Sequence, residues 1–186
     1  FVPHSRPRLF IIGVRDELAL TAPSITSDTP STIWHTKGLL NAYEKLSSKV
    51  RSKWLWWSPP APSKRKTTFA DLIEEQPQGV EWNSASETAK LLEMMSEKNL
   101  KKVNDAKKTG RLIVGAIYNR TRHDDAGYKV QRAEVRFDDI AGCLRTPAGG
   151  SSRQVILIVE GENVRSRLIS PRETARLMGL PDSYEL

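Results

Sequence analysis

The stretch SPRETARLMGLPDSY, Ser170–Tyr184, is the best-punctuated helix signal in the chain. Ser170 suits the N-cap, Pro171 the first helical position, and Glu173 completes a capping box. Gly179 and Pro181 stop the helix. Its phase turns Thr174, Leu177 and Met178 toward a core.

Upstream lie three strand-like runs, RLIVGAIY (Arg111–Tyr118), KVQRAEVRF (Lys129–Phe137) and VILIV (Val155–Val159). In the second, Ala133, Val135 and Phe137 share one face, while Glu134 and Arg136 share the other. HDDAG (His123–Gly127) is the turn between the first two. Before the strands, Ser84 and Glu87 form a capping box for a helix that puts Thr88, Leu91, Leu92 and Met95 on one face. Ser96 caps a second helix carrying Leu100 and Val103, stopped at Gly110, and the two read as a helical hairpin. Phe69–Glu75 reads as a short helix, and Leu39–Lys53 as a longer one ending before the stiff SPPAPS segment, Ser58–Ser63. Residues 16–36 read as irregular. The opening PHSRPRLFIIGV segment reads as a loop feeding a buried strand, Leu9–Val14, since Pro3 and Pro7 exclude helix.

The chain has 186 residues, 38% hydrophobic and 27% charged, enough for one domain or two small ones. No apolar run is long enough to span a membrane, no leader peptide is expected, and the first residue, Phe, reads as the start of a piece of something longer. One cysteine, Cys143, allows no internal disulfide, which fits a reducing cytoplasm. The net charge of +7 is concentrated. Lys37, Lys45, Lys49, Arg51, Lys53, Lys64, Arg65 and Lys66 fall in one segment, 37–66, whose only acid is Glu44, so the rest of the chain is neutral. That concentration points to a polyanion, or else to a solvated linker face. Trp54, Trp56 and Trp57 in the same segment either stack on bases or pack a subdomain.

No nucleophile stands near a base, since His4, His35 and His123 are scattered. There is no phosphate loop, no dinucleotide fingerprint and no metal-ligand spacing. Read from its residues alone, the chain is a basic mixed α/β module without an autonomous active site, binding nucleic acid. The loop GCLRTPAGGSSRQ, Gly142–Gln154, is long for a simple connection and rich in glycine, hydroxyls and arginine.

Three stretches in order carry a resemblance. PHSRPRLFIIG (Pro3–Gly13) resembles the Gln-x-Arg-x-Arg motif of DNA cytosine-5 methyltransferases, that family's eighth conserved block. RSRLISPRETARLMGLPDSY (Arg165–Tyr184) resembles the ninth block. VQRAEVRFDDIAGCLRTPAGGSSRQ (Val130–Gln154) is similar to the target-recognition segment that lies between them in a bacterial subgroup. The resemblance covers nearly the whole chain and is loosest over residues 16–68.

It implies a mixed α/β fold, with part of a doubly wound methyltransferase core joined to a small α+β target-recognition domain holding a short antiparallel sheet. Residues 1–36 would end the catalytic domain. Residues 37–164, including the basic Trp-rich segment 37–66, would form the recognition domain, and 165–186 a helix returning to the core. The family flips cytosine out of duplex DNA and moves a methyl group to its C5 from S-adenosylmethionine, without a metal. Arg6 and Arg8 take the positions of the two pocket arginines, the second bonding cytosine O2, a task suited to a fixed fork of donors. His4 stands where the family has Gln. Without the resemblance, Arg6 and Arg8 read as loop arginines paired with acids. Arg172 and Glu173 read as scaffold.

In the recognition loop Cys143–Leu144 replaces a Thr-Leu pair. Gly149 and Gly150 match glycines that let backbone approach DNA, and Thr146, Ser151 and Ser152 offer hydroxyls to phosphate. Arg145, Arg153 and Gln154 are the expected base readers, although Arg153 and Gln154 also suit a salt bridge or a strand-end cap. Arg120 and Arg122 are further candidates for DNA contact, or lie in a solvent turn. The cofactor-binding Phe-x-Gly-x-Gly block and the Pro-Cys nucleophile loop do not occur, and the one Glu-Asn-Val tripeptide, Glu162–Val164, lies after the eighth-block segment; the resemblance places all three blocks before Phe1. The tenth block would follow Leu186. The expected partners are duplex DNA and an N-terminal catalytic half, in the same chain or a separate subunit, and the expected setting is the bacterial cytoplasm at the nucleoid. A small subunit of a split methyltransferase and a stand-alone DNA-binding remnant are the alternatives.

Overall fold

The computed structural model describes residues 2–5, 8–15, 25–124, 126–144 and 153–186. In chain order its elements are β1 (Thr26–Ser27), α1 (Lys37–Glu44), α2 (Ser48–Arg51), β2 (Trp56–Trp57), a 3₁₀ turn (Ala70–Leu72), α3 (Ala85–Glu93), α4 (Glu97–Lys108), β3 (Leu112–His123), β4 (Lys129–Arg136), β5 (Val155–Glu160), β6 (Asn163–Leu168) and α5 (Pro171–Leu177). The fold class is mixed α/β. The chain divides into two compact units, residues 9–64 and residues 1–8 with 65–186.

The larger unit is built on an antiparallel sheet of order β4-β3-β5-β6. Side-chain alternation gives the sheet two apolar faces. Ile117, Ala133, Val135, Leu157 and Val159 face Leu91, Met95, Val103 and Ala106 of the α3–α4 segment. On the other side Val114, Ala116, Ile156 and Ile158 face Phe69, Ile169 and Leu177. Both edges of the sheet are covered, as a soluble sheet requires. At the β4 edge the Ala133 amide donates to Met94 O (3.1 Å), and Lys102 Nζ donates to Val135 O (2.9 Å). At the β6 edge the Asn83 amide donates to Ser166 O (2.9 Å), and the indole of Trp82 lies under the guanidinium groups of Arg165 (4.3 Å) and Arg167 (4.9 Å). The expected helical hairpin is thus two helices laid on a sheet, because their apolar stripes bury against strands.

Arg167 and Glu173 lock α5 to this sheet. Both are fully buried, with Arg167 Nη1 on Glu173 Oε2 (2.8 Å) and Nη2 on Oε1 (2.5 Å). The Glu173 carboxylate also accepts from the amides of Ser170 (2.8 Å) and Glu74 (2.7 Å). Arg167 Nη2 reaches Glu74 O (3.2 Å) and Arg176 Nη1 reaches Leu72 O (3.0 Å). The Glu74 amide, which a helix over Phe69–Glu75 would turn back to Ala70 O, goes to Glu173 instead, and the backbone is extended at Ile73 (ψ 135°), which leaves one 3₁₀ turn there.

The capping boxes at Ser84 and Ser170 form as their residues require. Ser96 stands at the N-cap of α4, but its hydroxyl accepts from the Asn99 side chain (3.1 Å) instead of the helix backbone. In α5 Leu177 is buried and Thr174 half-buried, whereas Met178 is 55% exposed, because Gly179 in the left-handed region (φ 84°) ends the helix there. The expected helix Leu39–Lys53 is two helices, α1 and α2. Ser47 caps the second one, its hydroxyl accepting from the Val50 amide, and breaks the run. β6 went unforeseen.

The expected buried strand Leu9–Val14 does not form. The segment has no ladder partner among the described residues, and Phe10 and Ile11 are 80% and 79% exposed. A strand holds its conformation only by pairing, and an apolar run without a neighbouring strand stays irregular.

In the smaller unit β1 pairs with β2, and Tyr43, Trp54 and Trp56 pack ring against ring at 4.9–5.6 Å with His35 against Trp56 at 4.6 Å. Trp56 is 4% exposed, so it packs this unit and does not present a face to bases.

Burial alone would raise the Glu173 carboxyl, but the Arg167 hydrogen bonds and charge and the amides of Ser170 and Glu74 outweigh it and hold it below the usual carboxylate range. A depressed carboxylate contributes stability above its unfolded value, about 4.3, and loses it as pH falls through the folded value. We expect Glu173→Ala to cost about 3–5 kcal/mol in denaturant unfolding at pH 7, since it strands a buried guanidinium. Glu173→Gln should lessen the loss of stability expected on acidification below about pH 4, leaving the share that Asp138 and Asp182, also held low by arginine partners, contribute. An unchanged acid limb in Glu173→Gln would place that loss elsewhere.

Candidate nucleic-acid interface

The candidate interface grows from the point where two strands of the sheet part. β5 begins at Val155, opposite Ile117, while β3 runs on to His123 paired only with β4. The β3–β4 hairpin therefore extends past the sheet as a two-stranded arm. Its tip is closed by Asp124, whose Oδ1 accepts from the amides of Ala126 (3.0 Å) and Tyr128 (2.8 Å). Where β5 stops, a pocket of about 140 Å³ opens, lined by Ile117, Tyr118, Asn119, Arg120, Cys143, Arg153 and Gln154.

Gln154 closes the end of the ladder. Its Nε2 donates to Ile117 O (2.7 Å) and to Val155 O (2.9 Å), so both amide hydrogens are spent inside the fold. Reading adenine with this side chain would require breaking both bonds. Gly142 lies against the same end. A Cβ there would fall 2.5 Å from the Tyr118 hydroxyl and 2.6 Å from Gln154 Oε1. Any larger residue would have to displace these two side-chain ends.

Tyr118, Arg120 and Arg122 alternate onto one face of the arm. Glu134, across the ladder, orders both arginines: Arg122 Nε donates to Oε1 (2.8 Å), and Arg120 Nε stands 3.2 Å from Oε2. The Arg120 guanidinium lies 5.6 Å from the Tyr118 ring centre. Both arginines are about half exposed (52% and 51%), so the carboxylate orients them without covering them. Neutralising Glu134 would free both guanidinium groups.

The amino-terminal segment docks at the loop root. Pro3–Ser5 runs parallel to Ala141, with the Ala141 amide on Pro3 O (2.7 Å) and the Ser5 amide on Ala141 O (2.9 Å). The Leu144 amide donates to His4 Nε2 (3.3 Å), so that ring nitrogen carries no proton. His4, standing where the resembling motif has Gln, thus supplies an acceptor to the loop that begins at Gly142. Arg8 lies four residues on and is exposed.

Of the expected site residues, the pocket brings together Arg120, Arg153 and Gln154, with Cys143, and places Arg122 on the adjoining arm. Arg6, Arg145, Thr146, Gly149, Gly150, Ser151 and Ser152 lie outside the described residues. Tyr118, Asn119 and Glu134 were not foreseen as site residues. Their signal was the period-two pattern of YNRTRH, which carries β3 beyond the apolar run.

A family model described as C-5 cytosine-specific DNA methylase matches residues 2–186, nearly the whole chain, including the amino-terminal segment, the pocket and α5. The chain belongs to the C-5 cytosine-specific DNA methylase family. Neither a curated protein nor a solved structure matches it. Membership makes DNA the substrate of this methyltransferase family and S-adenosylmethionine the methyl donor of the complete enzyme. Among the described residues no group of three His, Cys, Asp or Glu side chains could hold a metal ion, and no helix is long and apolar enough to cross a membrane.

Gly142→Ala should cost about 1–3 kcal/mol in denaturant unfolding, as overpacking does. Tyr118→Ala should recover part of that loss in the double variant, because the ring is one of the two side chains the new methyl group meets, Gln154 being the other. Strictly additive losses would mean that the two residues do not share the contact.

Proposed function

We propose that this chain is the target-recognition part of a DNA cytosine-5 methyltransferase and also carries the two arginines that hold the flipped base. The observation that carries the reading is the junction of three elements. The eighth-block segment bonds through His4 to the root of the Gly142–Gln154 loop, and that loop returns beside Arg120 at the pocket.

In this reading the β3–β4 arm and the loop enter the major groove, which admits a two-stranded ribbon. Arg153 reads a base edge, for which its paired donors suit guanine. Arg120 and Arg122 contact phosphate or base. Arg145, Thr146, Gly149, Gly150, Ser151 and Ser152 complete the reading loop. Gln154 holds the frame of the pocket. Arg8 binds the extruded cytosine at O2, and Arg6 lines the same pocket. Residues 165–186 act as scaffold, which the burial of Glu173 supports.

The pocket at the loop root does not fit the family's donor, S-adenosylmethionine: it is lined by Arg120 and Arg153, with no carboxylate to take the ribose hydroxyls. Since the Phe-x-Gly-x-Gly and Pro-Cys motifs do not occur in the sequence, the cofactor site and the nucleophilic cysteine, and with them the acid that supports N3, are assigned to residues other than those of this chain.

Two substitutions in the complete enzyme test the proposal. Arg8→Ala should lower methyl transfer far more than it weakens duplex binding, because the base contact forms only after flipping. Equal losses in both assays would remove Arg8 from the pocket. Arg153→Ala should relax sequence choice at one base pair by roughly 1–3 kcal/mol, read by bisulfite sequencing of the methylated DNA. An unaltered site preference would remove Arg153 from the reading set.

A further inference from the structure

The cations of the two units differ in how they are matched. In residues 65–186 many surface cations have an acid beside them. Arg120 and Arg122 share Glu134, Arg136 pairs with Asp138, Arg176 with Asp182, Lys107 with Glu162 and Lys108 with Asp105. On α1 and α2 and the turn between them, Lys37, Lys45, Lys49 and Arg51 are exposed, and among the described residues none forms an ion pair. Glu44 is the only acid from residue 37 to residue 66. Neither helix buries a residue. What fixes them is the aromatic cluster, with Tyr43 of α1 packed on Trp54 and Trp56, which follow α2.

We infer that the α1–α2 face of the 9–64 unit is a phosphate-binding surface that holds duplex DNA without reading its sequence. Unmatched, solvated ammonium and guanidinium groups on short, rigidly held helices suit a polyanion with closely spaced charges. The indole of Trp56 is turned into the aromatic cluster, and a duplex presents its phosphates and not unstacked bases at the surface, so the contact is with backbone phosphate. Such a surface adds affinity and salt dependence. Sequence choice stays with the arm and the loop of the other unit. This inference rests on the family's DNA substrate and not on the reading roles proposed for Arg153 and Arg120.

The test is binding of a random-sequence duplex, followed by fluorescence anisotropy with the full chain over a series of salt concentrations. Removing one cation that neutralises a phosphate should flatten the plot of log K against log salt by about 0.9. The triple variant Lys45→Gln, Lys49→Gln, Arg51→Gln should flatten it by roughly 2–3 and leave the Trp fluorescence of the aromatic cluster unchanged. A charge-matched control, Lys90→Gln, Lys98→Gln, Lys101→Gln on and beside α3 and α4, should change it by less than about 0.9. Lys45→Arg with Lys49→Arg should keep the native slope. Two results would overturn the inference. One is a native slope in the triple variant. The other is an equal flattening in the control, which would reduce the effect to net charge. Bisulfite sequencing of DNA methylated by the complete triple variant should show the native site preference, whether or not Arg153 proves to be a reader.

Discussion

The buried bidentate pair between Arg167 and Glu173 is the interaction on which the larger unit depends. It joins the end of β6 to the first turn of α5, six residues on, and ties both to Glu74, more than ninety residues earlier in the chain. Two buried charges are costly to desolvate, and the pair stands because hydrogen bonds satisfy the carboxylate on every side. Glu173 is at once the capping-box acid of α5, the acceptor for the Glu74 amide and the counterion of Arg167. One face of the sheet is closed by what this pair holds in place. The other is closed by α3 and α4, whose connection also covers the β4 edge.

With the sheet fixed on both faces, the features that face outward are the arm and the loop root. The pocket exists because β3 is longer than β5. Its shape is set by three fitted contacts: the Gln154 amide on Ile117 O, Gly142 against the Tyr118 hydroxyl, and Glu134 between Arg120 and Arg122. Guanidinium groups oriented in advance lose less freedom on binding than free ones. The bond from Leu144 to His4 ties the amino-terminal segment to the same loop root.

Much of this was legible in the residues. The capping boxes at Ser84 and Ser170 and the alternation of Ala133, Val135 and Phe137 are local signals, and local chemistry decided them. The order of motifs pointed to the family that the whole-chain match shows. What could not be read depended on distant partners. Leu9–Val14 has the composition of a strand, but pairing makes a strand, and the described chain offers it none. For Gln154 the residues offered two readings, a base reader or a strand-end cap, and the choice depends on the start of β5, where both amide hydrogens are bonded within the fold. β6 does carry a local signal, a two-residue turn at Gly161–Glu162 between facing Glu160 and Asn163, but its arginines give the run the composition of a polar loop. Arg167 itself, a charged residue with 0% exposure, follows no composition rule and is explained only by Glu173.

The central claim is that this chain recognises the target and holds the base for chemistry performed by residues outside it. The most direct measurement is the sequence of the coding DNA on either side of Phe1 and Leu186. The account predicts the Phe-x-Gly-x-Gly, Pro-Cys and Glu-Asn-Val blocks upstream, in frame or in an adjacent gene. A reading frame that starts close before Phe1, with no neighbouring gene carrying those blocks, would contradict it and leave a DNA-binding protein without a methyl transfer to direct.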